Sequence, residues 1–474
     1  MRRSWKSTLR QWLHRSVRLA VAALPRPWRF ALYRRLITCD TQPDPRLELK
    51  IADTQAELEA CFSLLHDAYV AAGFMKPDPS GLRVTPYHAL PTTTTLCAKF
   101  DGKVVGTLSL IRDGVLGFPM QSAFDLTQVR LKPGQIAEVS ALAVSPEFRK
   151  TGGTILFPLM KFMYEYCTQY FDTRHLLIAV NPNKVEFYEA LLLFERLQAQ
   201  VVARYDFANG APAVGAALDL RAAHPAYQRL YAPKAPRLNL FGYFVEIRLP
   251  NIKLPSRPYH TTNDPVLTPA LLDHFFNQRT QVFAKLDERR KALIRSLYDL
   301  SAYAHVLPPL QAPDRVAVRR HPRFTVRCPA VITVAAQPNH QTLSMTVVEL
   351  SRHGLRAECA QSLPLGSIGQ LEVELGVARR STITVMAIRQ DDRSGSNSMA
   401  FRIEQSDAAW LLCVLAIESG QTHADLAQPP GRVKGQAWVA PVEPVGQVGS
   451  WHVEGIARAE TIPAQVTQPL PIQA

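Results

Sequence analysis

Seven cysteines are present and no two of them form a C-x-x-C pair. They stand at positions 39, 61, 97, 167, 328, 359 and 413, a scatter that suggests neither a zinc site nor a disulfide framework. No metal centre is expected, and a reducing cytoplasm is the expected compartment. No apolar run is long enough to span a bilayer. Acidic residues are missing altogether before Asp40, whereas Lys6 and nine arginines fall there, so +10 of the formal +14 charge sits in that segment. The remainder is only mildly basic, which argues against a broad nucleic-acid footprint. With 47% hydrophobic and 20% charged residues the composition is globular, and 474 residues call for two or three domains.

Residues 4–24 repeat with helical period. Trp5, Leu9, Trp12, Leu13, Leu19, Ala20, Ala23 and Leu24 share a stripe, with Arg10, His14, Arg15 and Arg18 opposite, and Pro25 and Pro27 end the pattern. Such a basic amphipathic helix suits an anionic membrane surface, or packs on its own protein with solvated arginines. Its short apolar core, broken by Arg18, speaks against a cleaved signal peptide.

From Leu47 the chain alternates strands and helices, the mark of an α/β layered domain. A strand over Leu47–Ala52 leads into a helix to about Ala72, capped by Asp53 or Thr54. Thr94–Phe100 and Lys103–Ile111 flank Asp101-Gly102 as a hairpin. Ile136–Ser145 is a strand, followed by a glycine-bearing loop and an apolar helix to about Phe171. Arg174–Val180 is a strand, Asn181-Pro182 a break and Val185–Phe194 a helix; strands near Val201–Phe207 and Ala213–Leu220 join across Asn209-Gly210. Residues 251–266 read as a proline- and threonine-rich connector, and Leu267–Tyr303 as a helical segment with Leu286, Leu293 and Leu297 near one face. Short alternating strands from Val316 suggest a small β-barrel, and the stretch from about Gly420, rich in Pro, Gly, Gln and Val, reads as disordered. The expected organisation is a basic N-terminal segment (1–39), an α/β domain (46–250), a linker and helical segment (251–312), a barrel (313–419) and a tail (420–474).

The most informative stretch runs from Glu138-Val139-Ser140 through Pro146 to Arg149-Lys150-Thr151-Gly152-Gly153-Thr154. It places a carboxylate on a β-branched strand beside a basic glycine loop that opens a helix. Such a loop offers unpaired N–H groups and positive charge to an anion. Glu138 reads either as a general base or as a structural carboxylate bonded to backbone amides. Ser140 is a strand residue rather than a nucleophile, since no histidine stands in a recognisable triad pattern with it.

Glu138-Val139-Ser140-x-Leu142-Ala143-Val144-x-Pro146-x-x-Arg149, the Asn181-Pro182 break and Phe187-Tyr188-Glu189 resemble the GNAT acyltransferase fold, and more narrowly its long-chain N-acyl amino acid synthase (FeeM-type) branch, over about 200 residues. The resemblance implies an acyl thioester donor on a phosphopantetheine arm, carried by acyl carrier protein or coenzyme A, with no tightly bound cofactor. It implies that Leu142 and Val144 pair with the arm's amides through their backbones. It also implies that Arg149, Lys150, Gly152, Gly153 and Thr154 hold the phosphate end. Thr154 stands where the family has a small residue, which favours the single phosphate of a carrier protein. An amino acid's amine must lose a proton before it can attack, and Glu138 is the candidate base. Tyr188 is either the acid for the departing thiolate or a core tyrosine.

Arg319-Arg320-His321-Pro322-Arg323 and, further on, Glu349-Leu350-Ser351-Arg352-His353-Gly354 resemble the paired signatures of a PilZ domain, a bacterial cyclic di-GMP receptor, over about 100 residues. Guanidinium groups grip phosphates and guanine edges bidentately. The resemblance assigns Arg319, Arg320, Arg323, Glu349, Ser351 and Gly354 to the nucleotide, with Glu349 where the family has a shorter side chain. The fold class expected is therefore an α/β GNAT-like acyltransferase domain plus a small all-β PilZ-type barrel. The activity implied is long-chain acylation of an amino acid's amine under cyclic di-GMP control, cytoplasmic or peripheral on the inner membrane. The alternative is a non-catalytic nucleotide-responsive adaptor with a vestigial acyltransferase fold.

Overall fold

The computed structural model describes residues 23–149, 151–298, 300–311, 321–335, 340–391 and 397–420. Most of the expected helix over 4–24, Lys150, Arg319, Arg320 and the tail from 421 lie outside them.

Two sheets organise the chain. The first runs β1 (Leu47–Ile51), β2 (Thr93–Phe100), β3 (Lys103–Arg112), β4 (Gln135–Val144), β5 (Thr173–Val180), β8 (Ala211–Asp219) and β6 (Glu195–Arg196), with β7 (Val202–Tyr205) also on β8. Only β4 and β5 pair in parallel. Asp101 and Gly102 both take positive φ, 49° and 77°, as a tight turn between right-twisted strands requires.

Helix α1 (Arg26–Leu36) precedes the sheet, and α2 (Gln55–Ala71) starts at Thr54, whose side chain accepts from the Glu57 N–H. Leu58, Phe62 and Leu65 of α2 cover one face of the sheet, with Cys97, Ala141 and Ala143 beneath them. On the other face α3 (Leu156–Gln169) lays Leu159, Phe162 and Tyr166 over Leu49, Leu96, Leu108 and Ile178. Pro158 is tolerated because it occupies the first turn of α3, where N–H groups have no intrahelical acceptor.

Four local readings are revised. Helix α4 spans Pro182–Leu192, starting earlier than Val185 because Asn181 caps it through the Asn183 N–H and Pro182 is preset for a first helical position. Neither α1 nor α5 (Leu220–Tyr231) was anticipated. The first is held by Arg26–Glu189 and Arg29–Glu186 ion pairs to α4 (2.6 and 2.5 Å), the second by an Asp219 cap, so both depend on partners. The segment 267–303 is no continuous helix: a short turn at Pro269–Asp273 passes into a wide turn at His274–Gln278, and α6 (Glu288–Arg295) follows an Asp287 cap. Breaking it lets Phe275, Phe276 and Phe283 all reach the core beneath α2. Finally, the 251–266 connector is not a solvated linker, since Arg257, Thr261, Thr262, Asn263 and Asp264 are buried.

The second sheet is a closed barrel, ordered β10 (His340–Leu350), β11 (Gly354–Cys359), β14 (Asn397–Gln405), β13 (Arg379–Asp391), β12 (Ile368–Gly376) and β9 (Phe324–Ala335). Closure removes sheet edges, and alternate residues such as Val326, Cys328, Ala330 and Ile332 fill the interior. Helix α7 (Ala408–Glu418) seats Trp410 and Val414 against that interior.

Residues 257–264 strap the two sheets together. On the barrel side Thr261 bridges Val326, the His260 N–H donates to Leu375 O at 2.8 Å, and the Arg327 N–H donates to His260 O at 2.9 Å. Arg327 also pairs with Asp172 at 2.8 Å.

Candidate functional site

The site begins with a parting of strands. Pairing between β4 and β5 stops at Glu138↔Leu177, after which β5 continues against β8 and β4 only against β3. Within β4, Ala141 takes φ +56° where the β3 register shifts between Thr107 and Ser109, a bulge that bends the strand. The half of β4 holding Leu142 and Val144 therefore has no partner strand on the β5 side.

A cavity of about 1310 Å³ fills that gap. Met160 and Met163 line it from α3, Tyr69 from α2 and Ala72 from its C-cap, and Ile178, Val180 and Phe194 from the far side of the parting. It thus passes from one face of the sheet to the other, and its walls are largely apolar.

Glu138 lines this cavity and is 2% exposed. Its Oε2 accepts from the Met120 N–H at 3.1 Å. Burial pushes its pKa up to about 8, against which the Met120 hydrogen bond works only in part. Tyr188 and Ser140 line the same cavity. Burial holds the Tyr188 phenol above its ordinary 10.0, so it stays protonated at neutral pH.

The glycine loop lies at the N-terminus of α3. Gly152 and Gly153 take φ +71° and +89°, and a Cβ at Gly153 would stand 2.4 Å from the Phe157 ring. Thr151 and Thr154 bring their hydroxyls to 2.5 Å, and Arg149 Nε donates to the Val144 carbonyl at 2.8 Å. That contact ties the loop back to β4 and occupies one of the carbonyls assigned to the donor arm.

Sequence reasoning missed Tyr69, Arg83, Met120, Tyr205 and Phe207. They come from α2, two loops, β7 and the turn after it, so no spacing in the chain could have joined them.

At the barrel, Glu349 holds two guanidinium groups: Arg323 Nη1 at 3.4 Å and Arg356 Nη2 at 3.0 Å. Arg356, on β11, was not singled out from the sequence. Ser351 closes the turn to Gly354, with its N–H and Oγ both donating to Gly354 O at 2.9 Å. A Cβ at Gly354 would stand 2.9 Å from Phe401 O, which explains the glycine. Arg352 pairs with Glu418, and Trp410 Nε1 donates to Ser351 O at 3.2 Å, so the turn is tied to α7.

Residues 60–219 match the family model described as N-acyl amino acid synthase FeeM, and residues 317–412 match the PilZ domain. No curated protein matches the chain. Among solved structures, the FeeM N-acyl amino acid synthase from uncultured soil microbes is 26% identical, covering 38% of this chain and 95% of its own, with a TM-score of 0.33. The CoA-dependent acyl-homoserine lactone synthase BjaI is 19% identical over 44% of this chain and 92% of its own, with a TM-score of 0.30. The PilZ domain of YcgR from Escherichia coli, solved with c-di-GMP, is 20% identical over 21% and 88%, with a TM-score of 0.19. By the two family models, the α/β domain is similar to N-acyl amino acid synthases of FeeM type and the barrel to PilZ domains.

Proposed function

We propose that this protein transfers a long-chain acyl group from a phosphopantetheine thioester to the amine of an amino acid, and that cyclic di-GMP at the barrel regulates the transfer. The carrying observation is Glu138: a carboxyl buried on the wall of an apolar cavity where two strands part, its pKa pushed up to about 8 by that burial. A base near 8 accepts an ammonium proton far better than an ordinary carboxylate does.

The thioester arm lies along the unpartnered half of β4, with Leu142 and Val144 offering backbone groups once Arg149 releases the Val144 carbonyl. Gly152, Gly153 and their neighbours at the start of α3 meet the phosphate, and the acyl chain fills the apolar part of the cavity. The acceptor ammonium gives its proton to Glu138, and the free amine attacks the thioester carbonyl. As the C–N bond forms and the C–S bond breaks, the thiolate takes a proton from Tyr188, and the second proton that the nitrogen sheds in becoming an amide restores the phenol. Transfer is direct, without an acyl-enzyme. The close Thr151–Thr154 contact narrows the loop and favours acyl carrier protein over the diphosphate of coenzyme A. Exposed Trp28 and Leu36, at 69% and 68%, suit a peripheral seat on an anionic membrane, where an amphiphilic product partitions.

The test supplies purified full-length protein with long-chain acyl-carrier-protein or acyl-CoA and amino acids, and reads products by mass spectrometry. N-acyl amino acids are expected; their absence with every donor overturns the reading. For the barrel, Arg323→Ala is expected to weaken cyclic di-GMP binding by roughly 10- to 100-fold in calorimetric titration, the worth of a charge-assisted contact. Unchanged affinity would remove Arg323 from the nucleotide site.

A further inference from the structure

A second cavity, of about 910 Å³, lies against the first and differs in character. Arg83, Arg130, Arg204 and Arg290 line it, against only Asp125 and Asp206. Phe207 lines both cavities, and Arg83 sits at this partition. The Arg83 guanidinium carbon lies 4.0 Å from the centre of the Tyr69 ring and 5.0 Å from that of Phe207, and Nη2 donates to Phe207 O at 3.0 Å.

None of these contacts supplies a negative charge. Among the described residues no carboxylate stands within 4.0 Å of Arg83, although its neighbours Arg130 and Arg204 have Asp113 and Asp206. Partial burial draws its pKa downward, so the group gives up part of its hydration without a counter-ion in return. Beside it, Tyr205 is 4% exposed, lines the first cavity, and its hydroxyl has no hydrogen-bond partner among the described residues. A half-buried cation and a buried idle donor, both beside Phe207, favour an anion that takes both. Tyr69 and Tyr205 feel Arg83 and Glu138 alike, the cation lowering and the carboxylate raising their pKa values. The anion site and the candidate base therefore adjoin the same two phenols.

We infer that Arg83, with the Tyr205 hydroxyl, binds the α-carboxylate of the acceptor amino acid, and that the cationic cavity is the port by which this acceptor enters. The inference rests on the acyl-transfer reading of Glu138 and deepens it. An α-amino acid carries its amine and carboxylate on one carbon, so a carboxylate at Arg83 presents the amine toward Glu138. Donor and acceptor then arrive by separate routes: the acyl chain through the apolar cavity, the zwitterion through the cationic one. Two entrances suit a ternary complex.

The test uses full-length protein and compares the amino acid it acylates best with the primary amine that the same amino acid leaves on decarboxylation. Wild type is expected to prefer the amino acid by roughly 10- to 100-fold in kcat/KM. In Arg83→Gln that ratio falls toward one, through the KM of the amino acid rather than kcat, while Arg83→Lys keeps part of it and Tyr205→Phe loses a few-fold. Equal losses for acid and amine would make Arg83 a packing residue and overturn the inference, as would an unchanged ratio. If wild type acylates nothing, the transfer reading has failed by itself. Calorimetric titration with the amino acids then decides the subsite: binding that disappears in Arg83→Gln at an unchanged melting temperature upholds it, and no binding to wild type overturns it.

Discussion

Glu138→Gln is expected to lower kcat by roughly 10²- to 10⁴-fold, the usual worth of a positioned base, and to raise the melting temperature at the same time. The glutamine fills the same space and keeps an oxygen for the Met120 N–H, but it cannot take a proton. Wild-type activity should rise with pH and level off above about 8, where the carboxyl is ionised, and the variant should lack that limb. Stability runs the other way. The folded carboxyl titrates at about 8 and the ordinary one at 4.5, so between these values the unfolded chain is ionised there and the folded chain is not. The contribution to stability is full below 4.5, is lost as pH rises, and is gone above about 8. At about 1.4 kcal/mol per pKa unit the loss amounts to a few kcal/mol, which glutamine does not suffer. Denaturant titrations of both proteins at pH 5 and pH 9 measure it. A variant that is slower but no more stable at pH 9 would mean that Glu138 is not neutral in the folded state at neutral pH.

That pairing of lost activity with gained stability separates a functional carboxylate from a structural one, and the sequence left both readings open. What it did carry was local. The hairpin turn at Asp101-Gly102, a helix cap at Asp53 or Thr54 and the succession of strands and helices along the chain follow from backbone preferences of nearby residues. The bulge at Ala141 does not, because an alanine at positive φ is imposed by the β3 register and by the strands that part beyond it. Arg83 looked like any loop arginine, and its isolation from carboxylates exists only after folding.

The strap shows the same limit at larger scale. Pro255, Pro258, Thr261, Thr262, Asn263 and Asp264 have the composition of a solvated connector, and composition has no way of reporting that partners far along the chain will bury them. Arg112 on β3 donates to the Thr262 hydroxyl and carbonyl at 2.8 and 2.9 Å and stacks on Phe171 at 4.3 Å. Asn263 donates to Pro91 O at 3.0 Å and accepts from Thr325 of the barrel at 3.0 Å. Polar residues that read as loop are here the mortar between two sheets.

Within that mortar, Asp264→Ala is expected to cost about 3–5 kcal/mol, because it leaves the Arg257 guanidinium buried and unpaired. Asp264 is 0% exposed and Arg257 1%. The carboxylate takes both Nε and Nη2 of Arg257 and also accepts from the Tyr166 hydroxyl at 2.7 Å. Burial alone would lower the Arg257 pKa, yet Asp264 overrides it and the net shift is upward. Denaturant unfolding of the full chain measures the loss; a change below about 1 kcal/mol would mean that water reaches the pair. Replacing both residues together, Arg257→Met with Asp264→Leu, should cost much less, since no lone charge is left behind. The double variant also isolates communication from stability. Tyr166 stands near the end of α3, and α3 begins at the glycine loop, so one rigid helix connects the strap to the proposed phosphate site. If the barrel acts through this contact, the double variant keeps its nucleotide affinity and loses the effect of nucleotide on transfer. A response that survives the double replacement would send the coupling elsewhere, with Arg327–Asp172 the next contact to break.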